Sequence, residues 1–288
     1  MKKCIISGTS GFVGSQVKSY FLKNNWDVFE LKHISRNNSS QEKNIIPYSL
    51  GEKIDLNILH NTDALIHCAY DFKVRNWQDI YNTNVKGSIE LLKAAKNANV
   101  KKIVFISSIA AFDGCKSLYG KAKFEVEKEA LKLNVSIIRP GLVFSKDAGG
   151  MFGTLNKVTS LTNIIPLIGD GNNLMYLVHI DDLSKLVFSI CNEEIKTNGK
   201  PITAAYEKGK VFKDILRTMV QANGKNPVFI PIPYTLVLGG LKFLEAIGLK
   251  LRIRSDSLIS MLNANDHPDF DSQIQKNIQF KEFDGNTL

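Results

Sequence analysis

The chain has 288 residues, of which 44% are hydrophobic and 23% charged, and its formal net charge is +9 at pH 7. This composition is typical of a soluble globular protein of one or two domains. The lysines are spread along the chain without a dense basic block, so we expect the charge to attract a phosphate-bearing small molecule and not a nucleic acid.

The sequence also limits the compartment and the kind of site. Met1 is followed by an apolar run too short for a signal peptide, and no apolar run is long enough to span a bilayer. We therefore expect a cytoplasmic protein without a membrane span. The four cysteines are far apart and form no CxxC pair, which predicts reduced thiols, no disulfide framework and no metal site.

The first predicted elements are a strand from Lys3 to Ser7 and a helix that ends near Asn24, joined by a glycine-rich loop. Glycines at such a junction let the backbone approach a pyrophosphate, and the helix N-terminus presents free N–H groups to it. We predict that the residues of this G-x-x-G-x-x-G loop bind a dinucleotide: Gly8, Thr9, Ser10, Gly11, Phe12, Val13 and Gly14.

The predicted second strand, residues 28–31, is followed by a cation. In folds that bind NAD, an acidic residue near this point binds the ribose hydroxyls. Here the chain has Lys32, followed by His33 and Arg36. Because a cation attracts a 2′-phosphate, we predict that Lys32 contacts the cofactor and that NADP is favoured, with NAD as the alternative.

Two further strands are predicted before the next long helix. A weak strand covers 44–48, and a clear strand covers 63–69 and ends in Ala69. A small residue at that position lets the backbone pass close to a cofactor, so Ala69 is a predicted cofactor contact. We interpret His67, within the same strand, as a packed core histidine.

The segment from Val104 to Lys123 carries the most chemistry. A strand over 102–107 ends in Ser107 and Ser108, and a helical segment then places Tyr119 and Lys123 four residues apart, on one helix face. An ammonium beside a phenol favours the phenolate and lowers its pKa, and such a phenol can exchange a proton with a hydroxyl or carbonyl. Either serine could hold the reacting oxygen.

The alternation of strands and helices continues with a helix over 77–97 and a strand over 135–138 that ends in Arg139, Pro140 and Gly141. This βα alternation predicts an α/β fold, a Rossmann-like doubly wound parallel sheet with ligands at the C-terminal strand ends. We assign the NAD(P)-binding domain to residues 1–144, with 176–206 returning to it. Residues 145–175 and 207–288 are predicted to form a smaller C-terminal substrate-binding region.

Three features of the C-terminal half have structural interpretations. His179 and Asp181 lie at a predicted strand-to-helix junction that Asp181 would cap. The apolar stretch from Tyr234 to Leu249 is interpreted as a buried or groove-lining helix, with a peripheral membrane contact as the alternative. The tail after His267 carries no motif that we can interpret.

Taken in order, these motifs resemble those of the extended short-chain dehydrogenases/reductases, in the NAD-dependent epimerase/dehydratase family. The resemblance covers roughly Lys2 to Ile190. It rests on the glycine loop, Ile66-His67-Cys68-Ala69, Asn84-Val85-Lys86-Gly87, Ser107-Ser108, Tyr119-x-x-x-Lys123, Arg139-Pro140 and Val178-His179-Ile180-Asp181-Asp182.

The resemblance implies a role for each matching residue. Tyr119 would be the general acid/base, and Lys123 would lower its pKa and bind the nicotinamide ribose. Ser108 would hydrogen-bond the reacting oxygen, with Ser107 as the fallback. Asn84 matches an asparagine that supports a proton relay, and Pro140 would lie near the cofactor. The resemblance also implies a homodimer through helices at 76–97 and 119–133.

Three hypotheses about function remain open at this point. The first is an NAD(P)-dependent oxidoreductase or epimerase that transfers a hydride at a carbinol or ketone carbon of a nucleotide-activated sugar. The second is an NADPH-dependent reductase of a non-nucleotide ketone or aldehyde. The third is a non-catalytic NADP(H)-binding subunit. Dehydration is disfavoured because Ile109 and Ala110 follow Ser108, where the family's sugar dehydratases carry acids.

Overall fold

The computed structural model describes residues 1–33, 44–197, 199–249 and 254–287. Within those ranges the strands are β1 (Lys3–Ser7), β2 (Asp27–Lys32), β3 (Ile45–Pro47), β4 (Ala64–His67), β5 (Lys102–Ile106), β6 (Ser136–Pro140), β7 (Leu142–Phe144), β8 (Ile164–Ile168), β9 (Leu174–Met175), β10 (Leu177–His179), β11 (Ile202–Ala204), β12 (Lys210–Val211) and β13 (Val228–Ile232).

The helices of the same ranges are α1 (Phe12–Lys23), α2 (Leu56–Leu59), α3 (Trp77–Ile80), α4 (Gly87–Asn97), α5 (Leu118–Lys132), α6 (Gly150–Leu161), α7 (Ile180–Cys191), α8 (Phe212–Ala222), α9 (Tyr234–Ala246), α10 (Ser255–Leu262) and α11 (Ser272–Ile278). Between α3 and α4 the chain forms one turn with π-helical hydrogen bonding, Tyr81–Lys86.

Seven parallel strands form the main sheet in the order β11-β6-β5-β4-β1-β2-β3. The order reverses between β1 and β4, which is the switch point at which such sheets bind ligands. The predicted Rossmann-like fold is confirmed. The carboxyl ends of β1, β4, β5 and β6 lie side by side at one edge, so the loops that follow them meet there.

The main sheet is covered on both faces, which is why its central strands are almost continuously apolar. Alternate residues of β1 point to opposite sides: Cys4 and Ile6 pack with α1 and α7, whereas Ile5 packs with α4 and α5. Each face therefore has its own core cluster, and burial of both faces fixes the strand register.

A smaller core lies in the C-terminal region, between the parallel pair β8/β13 and helices α8 and α10. The tail, which the sequence left without interpretation, returns to the rest of the molecule. Ile274 and Ile278 of α11 join one core of the main sheet, and the Phe283 ring contacts Phe144 and Phe152 with centroids 5.2 and 5.7 Å away. The tail is therefore part of the packed structure.

The prediction that 234–249 forms a buried or groove-lining helix is wrong in its burial. The segment does form α9, but no residue of this helix is buried. Val237, Leu238 and Leu241 pack partly against the smaller core, and the opposite side of the helix is exposed. The apolar composition predicted the helix but not which of its faces would be exposed to solvent.

Candidate active site

The glycine loop forms a tight cradle between β1 and α1. Gly8 has a φ of +79°, and a Cβ built on it would lie 2.6 Å from the Ala69 backbone nitrogen. A Cβ on Gly14 would lie 2.3 Å from the Gly8 carbonyl oxygen. Both positions therefore require glycine. The loop thus brings the backbone of β1, β4 and α1 together, with Ala69 beside Gly8.

The end of β2 is positively charged in the described residues. Lys32 is its last residue, while Glu30 is buried and forms an ion pair with Lys18. Burial is the largest single influence and would raise the pKa of Glu30, but the hydrogen bond and charge of Lys18 together with the other nearby groups outweigh it, and the pKa is lowered. The Glu30 carboxylate is therefore already engaged in an ion pair with Lys18. Arg36, which the sequence also suggested, lies outside the described residues.

Tyr119 lies in the first turn of α5, and Ser108 lies in the loop after β5. Burial raises the Tyr119 pKa to about 12, and the nearby Ser108 side chain lowers it only in part. The Ser107 hydroxyl is instead buried and has no hydrogen-bonding partner among the residues that the structure describes. Of the two serines considered, Ser108 is thus the one placed against Tyr119.

Lys123 lies one helical turn beyond Tyr119 but does not touch its hydroxyl. Its Nζ donates to the Ile106 carbonyl at 2.7 Å and lies 6.0 Å from the centre of the Tyr119 ring. Burial lowers the Lys123 pKa to about 8. The expected depression of the Tyr119 pKa by Lys123 is not found in this structure: burial raises the pKa, and only Ser108 lowers it in part.

Pro140 supports the serine loop through its backbone. Its carbonyl accepts a hydrogen bond from Ile109 at 3.0 Å, and the Ser107 N–H donates to Ile138 at 2.7 Å. The end of β6 therefore continues the β5 ladder beyond the sheet. These hydrogen bonds hold the backbone on both sides of Ser108 in place.

Asn84 is buried in the π-helical turn and clamps the loop that follows β4. Its Oδ1 accepts from the Asp71 N–H at 2.7 Å, and its Nδ2 donates to the Asp71 carbonyl at 3.1 Å. Turns of this kind are frequent at functional sites. The structure gives this side chain a positioning contact, and no described contact connects it to a proton relay.

The clamped loop carries two aromatic residues that the sequence reasoning missed. The Tyr70 ring contacts the Tyr119 ring edge-on with centroids 4.9 Å apart, and the Phe72 ring stacks on Tyr119 at 5.7 Å. Phe72 is exposed. These rings form an aromatic wall beside Tyr119. The available signal was their place directly after Ala69, at a C-terminal strand end.

Asp256 is the second group that sequence reasoning missed. It lies in the first turn of α10, and its two carboxylate oxygens accept from the N–H groups of Leu118 (2.7 Å) and Tyr119 (3.0 Å). Nearby, Arg254 donates to the Phe72 carbonyl at 3.0 Å. The C-terminal region thus holds both the start of α5 and the aromatic wall.

Two histidines have structural roles. His67 is fully buried, with its ring nitrogens 2.6 Å from the Ser7 hydroxyl and 2.8 Å from the Ser88 hydroxyl, in agreement with the interpretation of a packed histidine. At the second junction His179, not Asp181, caps α7: its side chain accepts from the Asp181 N–H. The prediction of an Asp181 cap is wrong because Asp181 lies inside the first turn.

The residues at this sheet edge fit a bound dinucleotide. The glycine cradle is too narrow for any side chain, and α1 begins there without a side-chain cap. Lys123 has three N–H donors, and among the described residues only one hydrogen bond, to Ile106, is found for them. Free donors at a buried ammonium suit the hydroxyls of a ribose.

Comparison with known proteins connects this arrangement to a family. The sequence model of the NAD dependent epimerase/dehydratase family matches residues 4–202, more than half of the chain. The chain belongs to this family. The resemblance predicted from the motifs is confirmed, and the chain is an enzyme of the short-chain dehydrogenase/reductase type. The hypothesis of a non-catalytic subunit is therefore not carried further.

Several similar proteins are, by their names, enzymes of nucleotide sugars. The UDP-glucose 4-epimerase of Vibrio cholerae is 26% identical over 264 residues, covering 81% of this chain and 79% of that protein. The structure of MoeE5 in complex with UDP-glucose and NAD has a TM-score of 0.67 at 18% identity, covering 80% of this chain and 85% of that one. The UDP-glucose 4-epimerase of Thermotoga maritima with UDP-glucose has a TM-score of 0.64 at 20% identity, covering 90% and 96%.

Proposed function

We propose that this protein transfers a hydride between a nicotinamide cofactor and a carbinol or ketone carbon of a nucleotide-activated sugar, with Tyr119 as the general acid/base. The observation that carries the proposal is the placement of Tyr119 beside Ser108 at the sheet edge that also holds the glycine cradle. Two hydroxyls placed there can both contact one substrate oxygen.

The chemistry of the step follows from these groups. On oxidation, a bound nicotinamide would accept the hydride of the carbinol carbon, the Tyr119 phenolate would take the proton of its oxygen, and a ketone would form. In the reverse direction the carbon regains the hydride and the oxygen regains the proton. Epimerisation requires the hydride to return to the opposite face of that carbon. The nicotinamide ring supplies or accepts the hydride. Tyr119 is protonated at neutral pH in this structure, so it is ready to donate to a ketone oxygen.

A nucleotide-activated sugar is supported by the similar proteins and by the charge of the chain. The matching proteins include UDP-glucose 4-epimerases, and the net charge of +9 favours a diphosphate-bearing ligand. Residues 145–175 and 207–288 are the proposed substrate-binding region, and Asp256 and Arg254 support this by contacting the site. Homodimerisation through helices 76–97 and 119–133 remains part of the proposal.

We propose that NADP is the preferred cofactor. Lys32 at the end of β2 supports this, as does Glu30, whose carboxylate is already paired with Lys18. MoeE5 was solved with NAD, so the two cofactors must be compared directly. We would identify any nucleotide that the denatured protein releases, and then titrate NADPH and NADH into wild type and Lys32→Asp. Loss of preference in the variant supports the assignment, whereas tightly retained NAD would overturn it and favour an epimerase.

An NADPH-dependent reductase of a non-nucleotide ketone or aldehyde is the second candidate. The observation that favours it is the exposed Phe72 ring beside Tyr119, because an aromatic wall also suits an apolar substrate. A panel of UDP-sugars, keto-sugars and simple ketones separates the two. Turnover that requires the nucleotide portion supports the first proposal, and equal turnover of small ketones supports the second.

A further inference from the structure

The outer face of α9 is apolar and unpartnered among the described residues. The helix carries only two charges, Lys242 and Glu245, and none of its residues is buried. Leu236, Phe243 and Ile247 are 69%, 65% and 59% exposed and share one face of the helix. A helix that is apolar on most sides is normally covered by another surface.

A second exposed apolar face belongs to the parallel pair β8/β13. Alternate residues of β8 point inward to the smaller core, and the remaining ones point outward. Ile164 and its register partner Val228 are both about half exposed, as is Ile230 in the same strand. Solvent-facing positions of a strand are normally polar. Pro233 joins β13 directly to α9, so both exposed faces cover the same small core.

The charges beside these faces are positive. Lys242 directly precedes Phe243 on α9 and is exposed. Lys157 lies one helical turn before Leu161, which is 73% exposed, and Lys225 donates from its Nζ to the carbonyl of residue 160. Glu245 is engaged, because its carboxylate accepts from the N–H and hydroxyl of residue 255. The free charge on α9 is therefore cationic.

We propose that the apolar outer face of α9 docks on an anionic phospholipid bilayer. Apolar side chains bordered by lysines are the pattern of an interfacial helix: the apolar face enters the headgroup boundary and the ammonium groups meet lipid phosphates. In the described residues no helix is long and apolar enough to cross a membrane, so the contact is peripheral. The inference rests on this surface alone and not on the proposed reaction.

A second copy of the chain is a poorer occupant of the surface. Symmetric pairing would place Lys242 of one copy against the same cationic face of the other, and like charges oppose such a contact. An anionic lipid surface instead satisfies the lysines while it buries the apolar side chains. Charge complementarity thus distinguishes the two occupants.

The test is sedimentation of the full chain with vesicles of phosphatidylcholine, with or without phosphatidylglycerol. We expect binding to the anionic vesicles, and a loss of at least about tenfold in the partition coefficient for the double variant Phe243→Ser/Ile247→Ser. The matched control is Leu22→Ser/Leu56→Ser, which removes two exposed leucines from α1 and α2 and should bind as wild type does. Lys242→Glu should weaken binding to anionic vesicles and reduce its dependence on salt.

Four outcomes would overturn the proposal. These are no binding of the wild type to anionic vesicles, equal binding to neutral vesicles, equal loss in the control variant, or a wild-type dimer that Phe243→Ser/Ile247→Ser converts to a monomer. The last result, read by gel filtration, would assign the surface to a second copy. Circular dichroism of each variant confirms that a loss of binding does not reflect unfolding.

Discussion

Asp256 caps the helix that carries Tyr119 from a distance of 137 residues along the chain, with a carboxylate oxygen 3.0 Å from the Tyr119 nitrogen. Its other oxygen accepts from the Leu118 N–H. A carboxylate at a helix N-terminus satisfies free N–H groups and interacts favourably with the helix dipole. The C-terminal region therefore fixes the start of α5, and with it the position of the proposed acid/base.

The first prediction follows from this contact. Asp256→Ala should lower kcat by about tenfold and leave the cofactor dissociation constant nearly unchanged, because a displaced Tyr119 costs more in reaction than in binding. Asp256→Asn keeps one acceptor and should recover part of the loss. Steady-state kinetics with the preferred substrate, together with cofactor titration, measures both effects.

A matched control separates positioning from stability. Asp271 caps α11 by accepting from the N–H groups of Gln273 and Ile274, far from the site. Asp271→Ala should lower the free energy of unfolding by about 1 kcal/mol, as removal of a helix cap does, without changing kcat. An equal fall in kcat for both variants would show that Asp256 acts through stability alone.

The second prediction concerns the close approach of Gly8 to Ala69. Gly8→Ala should weaken cofactor binding by at least about tenfold, because the added Cβ pushes the cradle apart at the site of the pyrophosphate. Gly114 has a similar φ of +81°, but a Cβ there meets no atom within 4 Å. Gly114→Ala therefore carries the same backbone strain and should leave the cofactor dissociation constant unchanged. Isothermal titration with each cofactor compares the two, and equal affinities would contradict the assigned cradle.

The third prediction is that Lys123 lowers the stability of the cofactor-free protein and is required for activity. Burial lowers its pKa to about 8, so the folded chain binds fewer protons than the unfolded chain between that pH and its ordinary pKa. In this window the free energy of unfolding must rise with pH. Lys123→Met should remove this rise, stabilise the cofactor-free protein at pH 7 by roughly 1–3 kcal/mol, and abolish turnover.

Urea unfolding near neutral pH and near about pH 9.5 measures this effect. Lys121, exposed on the same helix, provides the control: Lys121→Met should change neither the pH slope nor the activity. A Lys123→Met variant that is less stable than wild type at pH 7 would mean that the ammonium contributes more through its contact with Ile106 than its burial costs.

The fourth prediction concerns acid stability and His67. Burial holds its pKa at about 3, and the neutral ring bridges Ser7 and Ser88. The unfolded chain binds a proton that the folded chain does not, so the free energy of unfolding should fall by roughly 2 kcal/mol between about pH 6.5 and pH 5. His67→Gln should flatten this fall, and the exposed His60→Gln should not. Denaturation curves at several pH values give the comparison, and identical slopes in wild type and His67→Gln would refute it.

The parts of the site that the sequence predicted are set by local geometry. The glycine loop was recognisable because three glycines between a strand and a helix permit one kind of close approach. Tyr119 and Lys123 were recognisable because a four-residue spacing places them on one helix face. The parallel sheet followed from strand and helix alternation, since parallel strands need crossover connections.

The parts that the sequence did not predict depend on contacts between distant segments. Nothing in the residues around Asp256 indicates that it would bind the start of α5, because that contact exists only after the C-terminal region has packed. The exposure of α9 could likewise not be predicted, because apolar composition does not reveal which face of a helix remains uncovered. The direction of the Tyr119 pKa shift also needed the fold, because it is set by the burial of the phenol.

The central claim is that Tyr119 moves the proton that accompanies hydride transfer. The most direct measurement is the change in nicotinamide absorbance on mixing the preferred nucleotide sugar with wild type, Tyr119→Phe and the distant control Tyr20→Phe, after cofactor titration of each. Tyr119→Phe should bind the cofactor as wild type does and transfer hydride at least about a hundredfold more slowly, with Tyr20→Phe unaffected. A Tyr119→Phe variant that transfers hydride at the wild-type rate would contradict the proposed mechanism.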